Sequence, residues 1–288
     1  MTPERNVGCI GLGHLGHTIA RRLIEQGVPL TVWNRTPSKA GDLGVPVAAS
    51  PRDLIGCVDI VIINLFDSNA VDAVLSGPEG LFSGPCSGKI IIDTTTNHFG
   101  RVREFYSRAR ERGATYLECP VLGSVVPASQ GRLTILVSGN EAAYISVKPL
   151  LSRMGSALFY LGEPELATKM KLVNNLVLGS FMATCAEAVA LGEATGIPRG
   201  EVIDILLAGA GNSMVLAAKK DKLKNLEFSA HFSSALIYKD LHYLQDLCRT
   251  LKKPLFVGST VKELFALARS KGIEDKDFSA VYEVFREF

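Results

Sequence analysis

The chain is expected to fold as an α/β protein: a doubly wound, mostly parallel N-terminal sheet, one long helix, and an all-helical C-terminal domain. Three observations predict this. Continuous apolar runs such as Asp59–Leu65 and Lys89–Asp93 recur between helical stretches, as strands buried on both faces require. Gly11-Leu12-Gly13-His14-Leu15-Gly16 falls where the apolar run Val7–Ile10 gives way to a helical pattern. Beyond Gly162-Glu163-Pro164 the alternation stops and every segment reads as helix.

Val7–Ile10 is the first strand, a helix runs from near His14 to about Gln26, and Leu30–Trp33 is the second strand. A Pro/Ser turn and a short strand near Val45–Ala48 follow. Strands Asp59–Leu65, Lys89–Asp93, Tyr116–Cys119, Leu133–Ser138 and Ala157–Leu161 complete the set. From about Pro164 to Thr195 the sequence runs as one helix, stopped by Gly196 and Pro198. Apolar residues cover most of its circumference, which places it between two domains or at a subunit contact. Breaks near Gly209–Ser213, Phe228–Ser234, Lys252–Pro254 and Lys271–Asp277 divide the remainder into helices. The expected domains are residues 1–162 and 163–288.

A chain of 288 residues, 47% hydrophobic and 21% charged, can bury a sizeable core. Its net charge of +2 comes from intermixed signs, so no broad basic field for nucleic acid is expected. Met1–Asn6 carries no apolar leader, and the most apolar stretch, Leu176–Leu191, contains Glu187 and is short for a membrane span. Six scattered cysteines without C-x-x-C spacing fit the reduced thiols of a cytoplasmic protein, not a disulfide frame or zinc site. His14 and His17 share a helix but lack a third ligand, so no metal is expected.

The glycine run carries the first chemical signal. In a strand–turn–helix setting Gly11 permits the tight bend, Gly13 lets backbone approach a pyrophosphate, and Gly16 lets helix and strand pack closely. The intervening Leu12, His14 and Leu15 complete the turn at a helix N-terminus that favours negative charge. This predicts a Rossmann-type dinucleotide site. A carboxylate at the end of the second strand would accept the ribose hydroxyls of NAD. Here Asn34-Arg35-Thr36 stands there, with Ser38 and Lys39 close behind. A guanidinium beside hydroxyls suits a 2′-phosphate, so NADP(H) is the expected cofactor.

Ligands of open parallel sheets bind beyond the carboxyl ends of the strands. Leu65 and Phe66 end one strand and Asp93-Thr94-Thr95-Thr96 ends another, with Thr96 placed to offer a hydroxyl near the nicotinamide. Glu118-Cys119-Pro120-Val121-Leu122-Gly123-Ser124 reads as a loop of small residues that something can approach. Lys171 and Asn175 fall on one face of the long helix, where an ammonium and an amide are expensive to bury. Lys239-Asp240 closes a further apolar helical segment.

Together, Gly11–Gly16, Pro120-Val121-x-Gly123 with Gly131, Lys171-x-x-Asn174-Asn175 and Lys239-Asp240 resemble the β-hydroxyacid dehydrogenase family over essentially the whole chain. Lys169–Thr184 and Phe278–Tyr282 look most like its glyoxylate/succinic semialdehyde reductase branch. The resemblance implies a helical domain that helps form a homodimer or homotetramer. It implies that Lys171 is the catalytic acid/base and Asn175 holds substrate. It further implies that Lys239 lies near the cofactor, that Thr96 contacts the nicotinamide part, and that Leu122, Gly123 and Ser124 receive a substrate carboxylate. The activity implied is hydride transfer between NADP(H) and a small 3-hydroxy acid or its semialdehyde or 2-oxo acid, of 3-hydroxyisobutyrate, succinic semialdehyde or glyoxylate type. Four positions depart from the family: Leu122-Gly123-Ser124 stands for Ser-Gly-Gly, Glu118 for Asp, and Ala167 for glycine. Two alternatives follow, an imine or non-carboxylate ketone reductase, suggested by apolar Leu122, and a non-catalytic binding module on the same scaffold. Imine reductases and chromatin-associated relatives generally lack the lysine, which this chain keeps as Lys171.

Overall fold

The computed structural model describes residues 5–287, so the leader segment considered above falls mainly outside the described residues. Two compact units emerge, Met1–Lys171 and Leu172–Phe288. The first contains β1 (Val7–Ile10), α1 (His14–Glu25), β2 (Leu30–Trp33), α2 (Pro51–Cys57), β3 (Ile60–Ile63), α3 (Ser68–Ser76), β4 (Ile90–Asp93) and α4 (Phe99–Glu111). It continues with β5 (Thr115–Glu118), β6 (Val121–Leu122), α5 (Val125–Ser129), β7 (Leu133–Gly139), α6 (Glu141–Met154), β8 (Gly155–Gly162) and the start of α7 (Leu166–Ala194).

The strands form one sheet in the order β2-β1-β3-β4-β5-β7-β6, with β8 also paired to β7. Pairing is parallel from β2 to β5 and between β7 and β8; β7 runs antiparallel to β5 and β6. Alternation along each strand divides the core in two. Cys9, Ile60, Ile62 and Ile92 pack with Ile19 and Leu23 of α1 and Val147 and Leu151 of α6. Ile10, Val61, Ile63 and Ile91 pack on the other face with Leu54, Val71 and Phe105 of α2, α3 and α4. The expected doubly wound architecture follows directly from these two-sided strands.

Two local expectations change. The short strand near Val45–Ala48 reduces to a single bridge between Val32 and Val47, because Pro46 has no N–H with which to extend a ladder. The segment read as a loop after Glu118 instead contains β6, whose Val121 and Leu122 pair with Ile135 and Thr134, and then α5.

In the second unit α7 is followed by α8 (Arg199–Ala208), α9 (Met214–Asn225), α10 (Ser234–Thr250), α11 (Phe256–Ser270) and α12 (Val281–Phe285). Gly179 of α7 approaches Ile237 and Leu241 of α10, and Gly192 approaches Val202 of α8, so small residues let α7 sit at the centre of this helical unit. The sequence suggested that Lys239-Asp240 closes a helical segment; instead Lys239 lies in the second turn of α10. Helix α7 has 29 residues and a mean hydropathy of 1.4 in its most apolar window, enough by length and composition to cross a bilayer. The helix is thus not too short for a span, as the stretch Leu176–Leu191 alone suggested. Buried Met182, Ala186 and Val189 and the contacts at Gly179 give α7 the character of a core helix. Its exposed stripe is apolar too, formed by Leu166, Met170, Val173, Val177 and Phe181.

Candidate active site

The glycine turn shows why each glycine is there. Gly11 has φ +93°, and a Cβ on it would sit 2.1 Å from the Asn64 carbonyl oxygen. A Cβ on Gly16 would sit 2.0 Å from the Gly11 carbonyl, so helix α1 closes directly on the turn. Gly13 is different: among the described residues nothing lies within 4 Å of its Cβ position. It is the N-cap of α1, exposed, and its backbone angles suit any residue. No protein contact explains a glycine at this position. A ligand brought against the backbone does, at a helix end whose N–H groups face outward.

Asn34 ties this turn to the end of β2. Its Oδ1 accepts from Leu12 N at 2.8 Å and its Nδ2 donates to the Thr36 carbonyl at 2.9 Å, so the amide shapes the loop. Arg35, Thr36 and Lys39 are exposed along a cleft of about 730 Å³, which Leu65, Phe66 and Asn69 also line. Two acidic residues, Asp67 and Glu79, share the cleft; Asp67 is engaged in capping α3 through Ala70 N. Phe66 presents its ring there at 51% exposure.

At the ends of β3 and β4 the threonines have separate tasks. Thr94 donates to the Ile63 carbonyl and accepts from Asn64 Nδ2, and Thr95 Oγ1 accepts from Leu65 N. Thr96 is half-buried at the outer end of the run. Beneath it, Asp93 accepts from Thr95 N, Asn97 Nδ2 and the Tyr116 hydroxyl. Burial raises the Asp93 carboxyl above its ordinary range, with these donors opposing the shift.

Next along the sheet, Leu122 is half-buried on β6 and Gly123 has φ +119°. A Cβ on Gly123 would also meet Leu133 at 2.9 Å, so this corner requires glycine. Ser124 is half-buried and its side chain does not cap α5. Glu118, at the end of β5, is buried and accepts from Glu165 N at 2.5 Å, Thr168 N at 3.1 Å and the Tyr106 hydroxyl at 3.1 Å. Burial raises its pKa as well, against the pull of the same donors. Lys171, 7% exposed, follows Thr168 on α7.

One turn further along α7, Asn175 is fully buried and donates from Nδ2 to Asp240 Oδ2 at 2.6 Å; its Oδ1 accepts from Asn174 Nδ2 at 3.2 Å. An ionised carboxylate only accepts, so Asp240 fixes which way this amide faces. Lys239 Nζ lies 3.1 Å from Asp240 Oδ1 as an ion pair without hydrogen-bond alignment, and 5.2 Å from the Tyr243 ring centroid. Sequence reasoning named Asp240 only as a neighbour of Lys239 and gave it no task. Tyr106 and Ser138 went unnoticed, because their contacts join strands and helices distant in sequence.

An exposed glycine turn at a helix N-terminus, a basic strand end and a buried lysine on a following helix define a dinucleotide-dependent oxidoreductase. Comparison with known proteins agrees. Residues 6–162 match the NAD-binding domain of 6-phosphogluconate dehydrogenase, and residues 166–285 match the NAD-binding region of NADP-dependent 3-hydroxyisobutyrate dehydrogenase. Glyoxylate/succinic semialdehyde reductase 2, chloroplastic, of Arabidopsis thaliana is 31% identical over 98% of this chain and 79% of its own length. The cytokine-like nuclear factor N-PAC of Mus musculus is 32% identical over 99% of this chain, which spans about half of that protein (52%). The crystal structure of 3-hydroxyisobutyrate dehydrogenase from Salmonella typhimurium superposes with a TM-score of 0.91 at 28% identity, covering 97% of this chain and 99% of that one. Psf3 in complex with NADP+ and 2-OPP gives a TM-score of 0.90 at 27% identity, covering 96% and 99%. The chain belongs to the β-hydroxyacid dehydrogenase family.

Proposed function

We propose that this protein is an NADP(H)-dependent reductase or dehydrogenase that interconverts a small 3- or 4-hydroxy acid with its semialdehyde, or a 2-hydroxy acid with its 2-oxo acid. The observation that carries the reading is Lys171: a buried lysine on α7, one helical turn before an amide held in fixed orientation by Asp240. Gly11–Gly16 would hold the pyrophosphate, Arg35, Thr36 and Lys39 the 2′-phosphate, and Leu65, Phe66, Thr96 and Lys239 the rest of the dinucleotide. When bound, the reduced cofactor supplies a hydride to the carbonyl carbon. Lys171 hydrogen-bonds the carbonyl oxygen and donates a proton to it as the electron pair of the breaking C=O π bond moves onto oxygen. The resulting neutral amine recovers its proton from solvent; in the oxidative direction the same amine accepts the hydroxyl proton. Asn175 offers its second N–H to the substrate, and the Leu122–Ser124 corner takes the carboxylate.

The Arabidopsis reductase and the Salmonella 3-hydroxyisobutyrate dehydrogenase, by the substrates in their names, motivate the substrate class. NADPH oxidation assayed with glyoxylate, succinic semialdehyde and methylmalonate semialdehyde tests it; no turnover with any of them refutes the reading. Leu122 favours one second reading, because an apolar side chain where the family has serine suits an imine or a ketone without a carboxylate. Turnover confined to cyclic imines would establish that reading. The apolar exposed stripe of α7 supports a homodimer or homotetramer, measurable by light scattering.

A further inference from the structure

The N–H groups at the start of α7 are held by side chains of the sheet. The first N–H groups of any helix have no intrahelical partner. Here Leu166 N reaches the Glu163 carbonyl at 3.4 Å. The other three come from the sheet's side chains: Glu165 N and Thr168 N donate to the two oxygens of Glu118, and Ala167 N donates to Ser138 Oγ at 3.0 Å. Glu118 and Ser138 stand directly opposite each other where β5 pairs antiparallel with β7. The Tyr106 hydroxyl bonds to both, at 3.1 Å to Glu118 Oε1 and 2.8 Å to the Ser138 carbonyl. All of these anchors are buried except the partly buried Tyr106. Glu165, which leads into the helix, holds a left-handed backbone (φ +75°) and pairs with Arg103 and Lys169, so the entry is over-determined and strained.

We infer that the cross-strand pair Glu118–Ser138 is the positioning device for Lys171, clamping the first turn of its helix to the strand that leads into the Leu122–Ser124 corner. The inference rests on the reading of Lys171 as proton donor. Lys171 follows Thr168 by less than one turn, so a shift of the clamped N–H groups passes to its backbone almost undiminished. On the other side, Glu118 is joined to Val121 only through Cys119 and Pro120. One carboxylate therefore registers the lysine and the substrate corner against each other. A misplacement of about 1 Å in such a constellation costs about 100-fold in rate.

The test compares Glu118→Gln, Glu118→Asp, Ser138→Ala and Lys171→Ala in the full chain, with NADPH and the best of the three aldehyde or oxo-acid substrates. Glutamine keeps the size but turns an N–H toward a helix N–H. It should lower kcat about 100-fold, raise the deuterium isotope effect on kcat with 4-deuterated NADPH, and speed amide exchange at residues 165–168, while Kd for NADPH stays within about twofold of wild type. Glu118→Asp, which keeps the carboxylate, should recover most of that loss. Ser138→Ala should lower kcat about fivefold, as for one lost hydrogen bond. If Lys171→Ala is active, or no substrate turns over, the reading of Lys171 falls and the inference with it. If Lys171→Ala is inactive while Glu118→Gln and Ser138→Ala keep kcat within twofold, only the inference falls. Should Glu118→Gln lose Tm and NADPH binding together, Ser138→Ala decides: lowered kcat at wild-type Tm supports the clamp, and unchanged kcat overturns it.

Discussion

Arg35→Ser should convert a cofactor preference into near-indifference, and the structure sets the size of the effect. Arg35 is exposed at the edge of the cleft, so its attraction to a phosphate is felt through a partly aqueous medium. A pair of unit charges at about 4 Å then interacts by roughly 1–4 kcal/mol, and a hydrogen bond to a charged group contributes about 1.5–3 kcal/mol net. Thr36 and Lys39 remain beside the site and retain part of the attraction, which argues for the lower half of that range. About 1.5–2 kcal/mol corresponds to a 10–30-fold rise in Kd for NADPH. NADH has no 2′-phosphate, so its affinity should change less than about twofold. Fluorescence titration of both dinucleotides, at low and at 0.5 M salt, measures this; the difference should shrink at high salt as exposed charges are screened. A wild-type preference for NADH, or an equal loss for both dinucleotides, would refute the reasoning. Glu79 in the same cleft is the natural reason for a smaller preference, and Glu79→Gln should then strengthen NADPH binding.

Three further outcomes follow from the geometry. Gly13→Val should leave Tm within a few degrees, because its backbone and surroundings accept a side chain, yet lower affinity for either dinucleotide at least tenfold; Gly16→Ala, which drives a Cβ toward the Gly11 carbonyl, should instead lose stability, by thermal denaturation. Asp240→Leu removes the acceptor that orients Asn175; KM for the substrate should rise about 10-fold, and an unchanged KM would separate Asn175 from substrate binding. In the second unit burial disfavours ionised Asp277, but Lys219 at 2.7 Å and the Ser279 donors outweigh it and hold the carboxyl below its usual value. A depressed carboxylate contributes stability above its unfolded pKa of about 3.9 and loses it as pH falls through the lower folded value. Acid titration by circular dichroism should therefore show Asp277→Asn, already weakened at neutral pH, to be less sensitive than wild type below about pH 4.

The fold was legible because β1, β3 and β4 are buried on both faces, and β3 and β4 are written almost wholly in Ile and Val. The cofactor turn was legible for the same local reason: strand, glycines and helix are contiguous. Where the sequence misled, the determining contact lay elsewhere. Val121–Leu122 is too short to show a strand period, and it is a strand only because β7 offers it an edge. Pro46 shows the reverse, a β-rich segment denied a ladder by one missing donor. Glu118 read as a small departure from a motif, yet its carboxylate satisfies backbone groups some fifty positions away. Asp240 likewise acquires a task only when α10 packs on α7. Residues that face a ligand through their own strand or helix are readable from spacing; residues that act by holding another element in place are not.

That distinction also bears on whether the chain catalyses or merely binds. A glycine turn and a basic strand end suit a dinucleotide-binding module as well as an enzyme, and the N-PAC match makes that alternative concrete. Under the proposed function, Lys171 is the residue on which the two readings differ. A lysine at 7% exposure is expensive to bury, and binding a dinucleotide at the Gly11–Gly16 turn does not call for one. Lys219, Lys222 and Lys262 are buried as deeply in ion pairs, so turnover, and not burial alone, is what sets Lys171 apart. Lys171→Ala should thus leave NADPH affinity within about twofold while lowering kcat by roughly 10²–10⁴-fold, the span of a general acid's contribution. Stopped-flow absorbance at 340 nm, with dinucleotide affinity measured on the same preparation, reads both quantities. Equal turnover in the two proteins would mean that the buried charge serves the fold, and the chemistry would have to be sought elsewhere on the chain.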